Sequence, residues 1–308
     1  MSKITNYKCW IGKEKSFVAE VKVLLKLLQS KVLTSESNLF LSPEPNPKFD
    51  WICDSDLTEQ ESKVFPLTGG HVALQTSGTT STPKVIWKNC NDVLQTKKGQ
   101  GSFQDTWLLT YNPGRWAGLS VLLHVLKTGG RLVVPEDLSL PSLIAKLPSA
   151  THVSLTPSLF KKLMMMSTKT LVDSPIVQLT FGGEYATQKI LNDAKSIWPN
   201  ARITHIYATT ELGDVCACSD GKEGIPVDKL NREISFSEQG ELILDKVNNT
   251  GDLWEQKDGR LYFKGRLSEI INVGGAKVAQ SYVENAVNSF HEISECRAYP
   301  IESSLLGQ

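Results

Sequence analysis

His71-Val72-Ala73-Leu74-Gln75 is followed by Thr76-Ser77-Gly78-Thr79-Thr80-Ser81-Thr82-Pro83-Lys84, and then by Val85-Ile86-Trp87. The order is an apolar run, a hydroxyl-rich stretch and a second apolar run, which reads as strand, loop, strand. Five of the six residues from Ser77 to Thr82 carry hydroxyls. With exposed backbone N–H groups they can encircle a polyphosphate, and Lys84 adds a positive charge at the end. This is not the GxxxxGK[ST] nucleotide loop. The glycine spacing differs, and Val85-Ile86-Trp87 is strand-like where that loop needs a helix. On composition alone, a plain Ser/Thr surface loop remains the other reading.

Outward from this stretch, apolar strand-like runs at 106–110, 131–134, 152–156 and 177–181 alternate with helix-like segments at 118–126, 158–166 and 186–198. Such alternation predicts an α/β domain with mixed, largely parallel sheets flanked by helices. Upstream, residues 17–28 place apolar side chains at helical spacing with Lys22 and Lys26 on the other face, and the three prolines of 41–48 read as a surface loop. The run Met164-Met165-Met166 is expected in the core or lining a groove. After Tyr207 the pieces become short: 233–236, 241–244 and 260–263 are separated by turn residues, the pattern of a small antiparallel, barrel-like subdomain. A last unit starts at Gly265, with a helix over 281–290 and a strand after it, so the expected domains are 1–264 and a partial α+β unit, 265–308.

Composition sets bounds on function. Of 308 residues, 40% are hydrophobic, enough for a sizeable core. Lys+Arg and Asp+Glu both number 33, so no general field attracts nucleic acid or an anionic membrane, and any anion must be held by a local site. No apolar stretch is long enough to span a bilayer, and the start lacks the layout of a signal peptide. The six cysteines form no dense framework. Cys216 and Cys218 are the one close pair, without partner ligands at zinc-like spacing in the chain. A reduced, cytoplasmic protein is the expectation. The five histidines form no cluster with a Ser or Cys, and no Gly-x-Ser-x-Gly elbow occurs.

Further motifs follow the loop in order. They are Gly182-Gly183-Glu184, Tyr207-Ala208-Thr209-Thr210-Glu211, Thr250-Gly251-Asp252, and Gly265-Arg266-Leu267-Ser268-Glu269 with Gly274-Gly275 beyond. Together with Thr76–Lys84 they resemble the acyl-adenylate-forming superfamily of acyl-CoA synthetases, peptide-synthetase adenylation domains and firefly luciferases. Segments 107–120 and 151–157 are similar to the o-succinylbenzoate–CoA ligase branch. The resemblance covers 76–275 and is weak over the first 70 residues.

The resemblance implies an ATP-dependent acid–thiol ligase that forms an acyl-AMP, with ATP, Mg2+ and CoA as cofactors. Thr76, Ser77, Gly78, Thr79, Thr80 and Lys84 would hold phosphates. Gly182, Gly183, Glu184 and Tyr207 would border the adenine, Thr210 the α-phosphate, and Glu211 would bind Mg2+. Asp252 and Arg266 would hold the ribose. Lys84, Thr210 and Glu211 would be the catalytic set. Elementary chemistry agrees with these assignments. When a carboxylate attacks the α-phosphorus of ATP two anions meet, so positioning and charge neutralisation must supply most of the catalysis. The acid would lie against Arg115, Trp116, Gly118 and Ala208. Arg115 suits a second carboxylate by bidentate pairing, and a structural role for it stays open.

Some positions depart from the family pattern. Ser81 and Ala208 replace glycines, Ser268 takes the place of a hinge Asp or Lys, and Gln280 replaces a proline. The chain stops at Gln308, ahead of the lysine that the family carries in its C-terminal domain, so slow adenylation is expected of it. Expected partners are a small carboxylic acid, ATP and CoA, with no nucleic acid and no membrane span; the quaternary state stays open, a homodimer included. Loading of a carrier protein and a non-catalytic adenylate-binding module are the alternatives.

Overall fold

The computed structural model describes residues 5–10, 17–33, 37–42, 70–75, 85–96, 101–230, 232–288, 290, 293 and 296–301. The described chain forms two compact units, Met1–Gly221 and Lys222–Gln308.

The first unit opens with β1 (Thr5–Trp10), α1 (Phe17–Leu27) and β2 (Ser37–Ser42). Val21, Leu24 and Leu28 are fully buried on one face of this helical segment while Lys22 and Lys26 are exposed, as the apolar spacing requires. Next come β3 (His71–Gln75), β4 (Val85–Asn89) and α2 (Cys90–Thr96). The order in this first sheet is β1-β2-β3-β4, with β3 and β4 antiparallel from His71↔Asn89 to Gln75↔Val85. The two apolar runs on either side of 76–84 are therefore strands, paired antiparallel.

The second sheet is built from β5 (Thr106–Leu108), α3 (Trp116–Thr128), β6 (Arg131–Val133), α4 (Leu140–Lys146), β7 (His152–Leu155), α5 (Pro157–Asp173), β8 (Gln178–Phe181), α6 (Gln188–Ile197), β9 (Arg202–Thr209) and β10 (Gly213–Cys218). Its order is β10-β9-β8-β7-β5-β6, parallel throughout except for the edge strand β10. Helices alternate with the parallel strands because a parallel pair needs a crossover. Leu155, Phe160, Leu179, Phe181, Ile190 and Trp198 belong to one core cluster, and Leu39, Leu74, Leu109, Trp116, Leu119 and Leu122 to another.

The second unit holds β11 (Ile225–Pro226), β12 (Ile234–Phe236), β13 (Glu241–Leu244), β14 (Asn248–Lys257) and β15 (Arg260–Arg266), an antiparallel sheet in the order β11-β15-β14-β13-β12. The hairpin β16 (Ile270–Val273) and β17 (Ala276–Ala279) and the helix α7 (Gln280–Asn288) follow.

Three expectations need correction. Met165 and Met166 are 73% and 54% exposed and only Met164 packs on the core, because three consecutive helical residues sweep about 200° and cannot share one face. No strand follows α7 among the described residues 296–301; there Ala298 N donates to Glu284 Oε1 at 3.0 Å. The proline-rich stretch begins inside β2 at 41–42, and 43–48 lie outside the described residues.

Candidate functional site

Strands β5, β7, β8 and β9 are parallel, so their C-terminal ends share one edge of the sheet, where open α/β sheets hold ligands. That edge delivers four short segments: the loop 109–115, Thr156 at the start of α5, the turn Gly182-Gly183-Glu184, and Thr210-Glu211 in the β9–β10 turn.

The first three segments are joined to one another. Tyr111 Oη donates to Gly182 O at 3.3 Å. Burial pushes the Tyr111 phenol up, opposed by the Ser154 hydroxyl and assisted by the Glu184 carboxylate, so the phenol stays protonated and able to donate. Thr156 Oγ1 accepts from Leu159 N at 3.0 Å, and Glu184 Oε2 accepts from Ser158 N at 2.9 Å. Glu184, read in the sequence as part of an adenine turn, thus satisfies an end N–H of α5 with a charge that suits the helix N-terminus.

The β9–β10 hairpin carries Tyr207, Ala208, Thr210 and Glu211. Tyr207 is half-buried, Glu211 is exposed in the turn, and Leu212 N donates to Thr209 Oγ1 at 3.0 Å to close it. Trp116, the first residue of α3, rests against this turn. Its Nε1 lies 3.3 Å from Asp214 Oδ1, and a Cβ on Gly213 would come within 3.1 Å of its ring. Gly213 has φ +76°, which also favours glycine there. Lys88 Nζ stands 5.5 Å from the Trp116 ring centroid, a cation–π approach, and donates to the Glu211 carbonyl. Ala208 packs against the apolar cluster that includes Trp116. A Cβ on Gly118 would meet Asn112 O at 2.3 Å, so the glycine lets the 111–115 loop lie on α3.

The structure therefore brings Trp116, Gly118, Ala208, Thr210 and Glu211 together, with Arg115 half-exposed at the N-cap of α3. Lys88 and Asp214 were missed in the sequence. Lys88 is a lone charge in an apolar strand, and its partner lies 123 residues away. Thr76, Ser77, Gly78, Thr79, Thr80 and Lys84 lie outside the described residues.

In the second unit Asp252 and Arg266 are directly opposed across β14 and β15, with Arg266 Nε 3.3 Å from Asp252 Oδ1. The carboxylate is buried and the guanidinium exposed. The strand segment ahead of Asp252 is fixed by Gly251 N donating to Glu241 Oε1 at 2.8 Å and Thr250 Oγ1 donating to Leu242 O at 2.8 Å. The Thr-Gly-Asp string is thereby held within β14 itself, with Gly251 at φ +72°.

The family model for AMP-binding enzymes matches residues 20–268. The 2-succinylbenzoate–CoA ligase of Salmonella typhimurium is 26% identical over 260 residues, covering 75% of this chain and 55% of that protein. The medium/long-chain-fatty-acid–[acyl-carrier-protein] ligase FadD10 of Mycobacterium tuberculosis is 26% identical over 299 residues, covering 75% of this chain and 53% of its own length. This chain spans about half the length of these relatives. Among solved structures, the o-succinylbenzoate CoA synthetase of Bacillus subtilis in complex with its acyl-adenylate intermediate shares the fold, with a TM-score of 0.69 at 16% identity over 99% of this chain and 77% of that one. No helix among the described residues is long and apolar enough to cross a membrane.

Proposed function

Because the chain belongs to the AMP-binding enzyme family, we propose that it takes part in joining a carboxylic acid to AMP and passing the acyl group to the thiol of CoA. In the first half-reaction a carboxylate oxygen bonds to the α-phosphorus of ATP and the bond to pyrophosphate breaks. In the second, the thiol sulfur bonds to the acyl carbon and AMP leaves. The observation that carries the reading is the β9–β10 hairpin, which sets Tyr207, Thr210 and Glu211 at the ligand-holding edge of a parallel sheet.

In this reading Ser77, Thr79, Thr80 and Lys84 hold the β- and γ-phosphates. Tyr207 faces the adenine beside Gly182 and Gly183, and Thr210 donates to the α-phosphate. Asp252 accepts the ribose hydroxyls, with Arg266 fixing its carboxylate. Glu211 fits Mg2+, since its exposed carboxylate is a hard oxygen donor of the kind that shares the ion with substrate phosphates. That ion would neutralise phosphate charge when bound. A hinge at Ser268 would let residues 265–308 act as part of a lid. Consumption of ATP and CoA fits a cytoplasmic location.

For the acid, we favour an aromatic dicarboxylate such as o-succinylbenzoate. Arg115 beside Trp116 supplies a bidentate cation next to an aromatic face, and a similar ligase acts on 2-succinylbenzoate. A carrier-protein thiol is the competing acceptor, favoured by the likeness to FadD10.

Acid-dependent exchange of labelled pyrophosphate into ATP tests the proposal on the full-length protein. Exchange with aromatic diacids above monoacids, with the preference lost in Arg115→Ala, is expected. Retained ATP binding without exchange for any acid would favour a non-catalytic adenylate-binding module instead.

A further inference from the structure

Away from the ligand-holding edge, the β9–β10 hairpin carries a second cluster of chemically active side chains. His205 and Cys218 are directly opposed across the antiparallel pair, so both project from one face. Asp220 follows two residues after Cys218. A nitrogen of His205, the Cys218 Sγ and a carboxylate oxygen of Asp220 all lie within 4.8 Å of one another. His205 and Cys218 are 7% and 5% exposed, and Asp220 stands at the surface.

From these residues we infer a binding site for one divalent cation of borderline softness, zinc above all. One thiolate, one imidazole and one carboxylate are the three protein ligand types that zinc takes, with a fourth position for water. Bonds of about 2.0–2.3 Å set tetrahedral donors roughly 3.5 Å apart, so small side-chain rotations close the present spacing. On binding, the Cys218 S–H bond breaks, the sulfur bonds to the metal and the proton passes to solvent.

The backbone on both sides of the cluster is already fixed. On the opposite face, Thr204 Oγ1 and Ser219 Oγ share a hydrogen bond of 2.8 Å, and Gln178 Nε2 donates to Thr204 Oγ1 at 3.0 Å. Arg202 Nε donates to Ser219 Oγ at 3.2 Å. Beyond Asp220, the carbonyl of Gly221 accepts from Gln188 Nε2 on α6 at 3.0 Å. Both neighbours of Asp220 are therefore tied to the sheet or to a helix before any ion arrives, which reduces the ordering cost of binding.

The site is separate from the one proposed for Mg2+. His205 lies six residues before Glu211 at the other end of the hairpin, on the order of 15 Å away along an extended strand. Its sulfur and nitrogen donors select against magnesium. A bound ion would clamp the strand pair that presents Tyr207, Thr210 and Glu211.

Titration of the metal-stripped full chain with Co2+ tests the site. One equivalent is expected to give the visible absorption of tetrahedral cobalt with a thiolate-to-cobalt band, displaced by Zn2+ and unaffected by excess Mg2+. Cys218→Ser removes the thiolate band, Cys216→Ser keeps it, and Asp220→Asn, at an exposed position, weakens Co2+ binding about tenfold or more. No tetrahedral spectrum with the native chain, or a thiolate band that survives Cys218→Ser, overturns the site. Should Cys218→Ser fail to fold, unchanged Co2+ affinity in Asp220→Asn overturns it equally.

Discussion

Gly213 and Trp116 show how single residues shape the hairpin turn. The glycine adopts φ +76° with the indole ring against it. Gly213→Ala is expected to cost about 1–2 kcal/mol in denaturant unfolding, from the left-handed backbone alone, and unchanged stability would mean that the turn relaxes out of that conformation without cost. Asp252 is the other decisive residue, buried beneath an exposed Arg266. Asp252→Asn keeps the shape and removes the charge, and calorimetry should show AMP binding weakened roughly ten- to hundredfold, the range for hydrogen bonds to a charged group. Undiminished binding in a folded variant would remove Asp252 from the ribose. Asp252 and Arg266 stood out in the sequence by their motifs, and Gly213 did not. Lys88 and Asp214 did not, because what gives them meaning is a tryptophan distant in the chain.

At the scale of elements, Trp107 is flanked by His124 and His152, each ring centroid 5.0 Å away, where β5, α3 and β7 meet. Burial lowers the His152 pKa, with the Asp105 carboxylate opposing. A histidine lowered in the folded state binds its proton more readily once unfolded. Stability is therefore full above the unfolded value of about 6.5 and falls as pH drops through it toward the lower folded value. Melting temperatures from pH 8 to pH 5 should show this loss, and His152→Asn should flatten it; an unchanged slope in the variant would place the loss elsewhere. The elements themselves were readable where one periodicity dominated: 152–155 and 178–181 are apolar runs that became buried parallel strands. Strand β10 was not readable, since Gly213-Asp214-Val215-Cys216-Ala217-Cys218 combines small residues with a bulge between Asp214 and Cys216. The cross-strand register that pairs His205 with Cys218 is non-local information. For the same reason, the spacing of Cys216 and Cys218 along the chain does not point to His205.

For the whole molecule, the parallel sheet of the first unit and the antiparallel sheet of the second followed from the change in texture after Tyr207, because crossover connections and tight turns have different lengths. In the proposed function Arg115 and Trp116 would meet the acid and Tyr207 and Thr210 the nucleotide, so the acyl-adenylate, which joins both halves in one molecule, would engage both sets where AMP engages one. Catalysis by differential binding predicts that analogues of such high-energy species bind more tightly than substrates or products. The most direct measurement is therefore calorimetric titration of the protein with a hydrolysis-resistant sulfamoyl-adenosine analogue of o-succinylbenzoyl-AMP, alongside AMP. Binding of the analogue at least about a hundredfold tighter than AMP is predicted; equal affinity for the two, or no binding of either, would contradict acyl-adenylate formation.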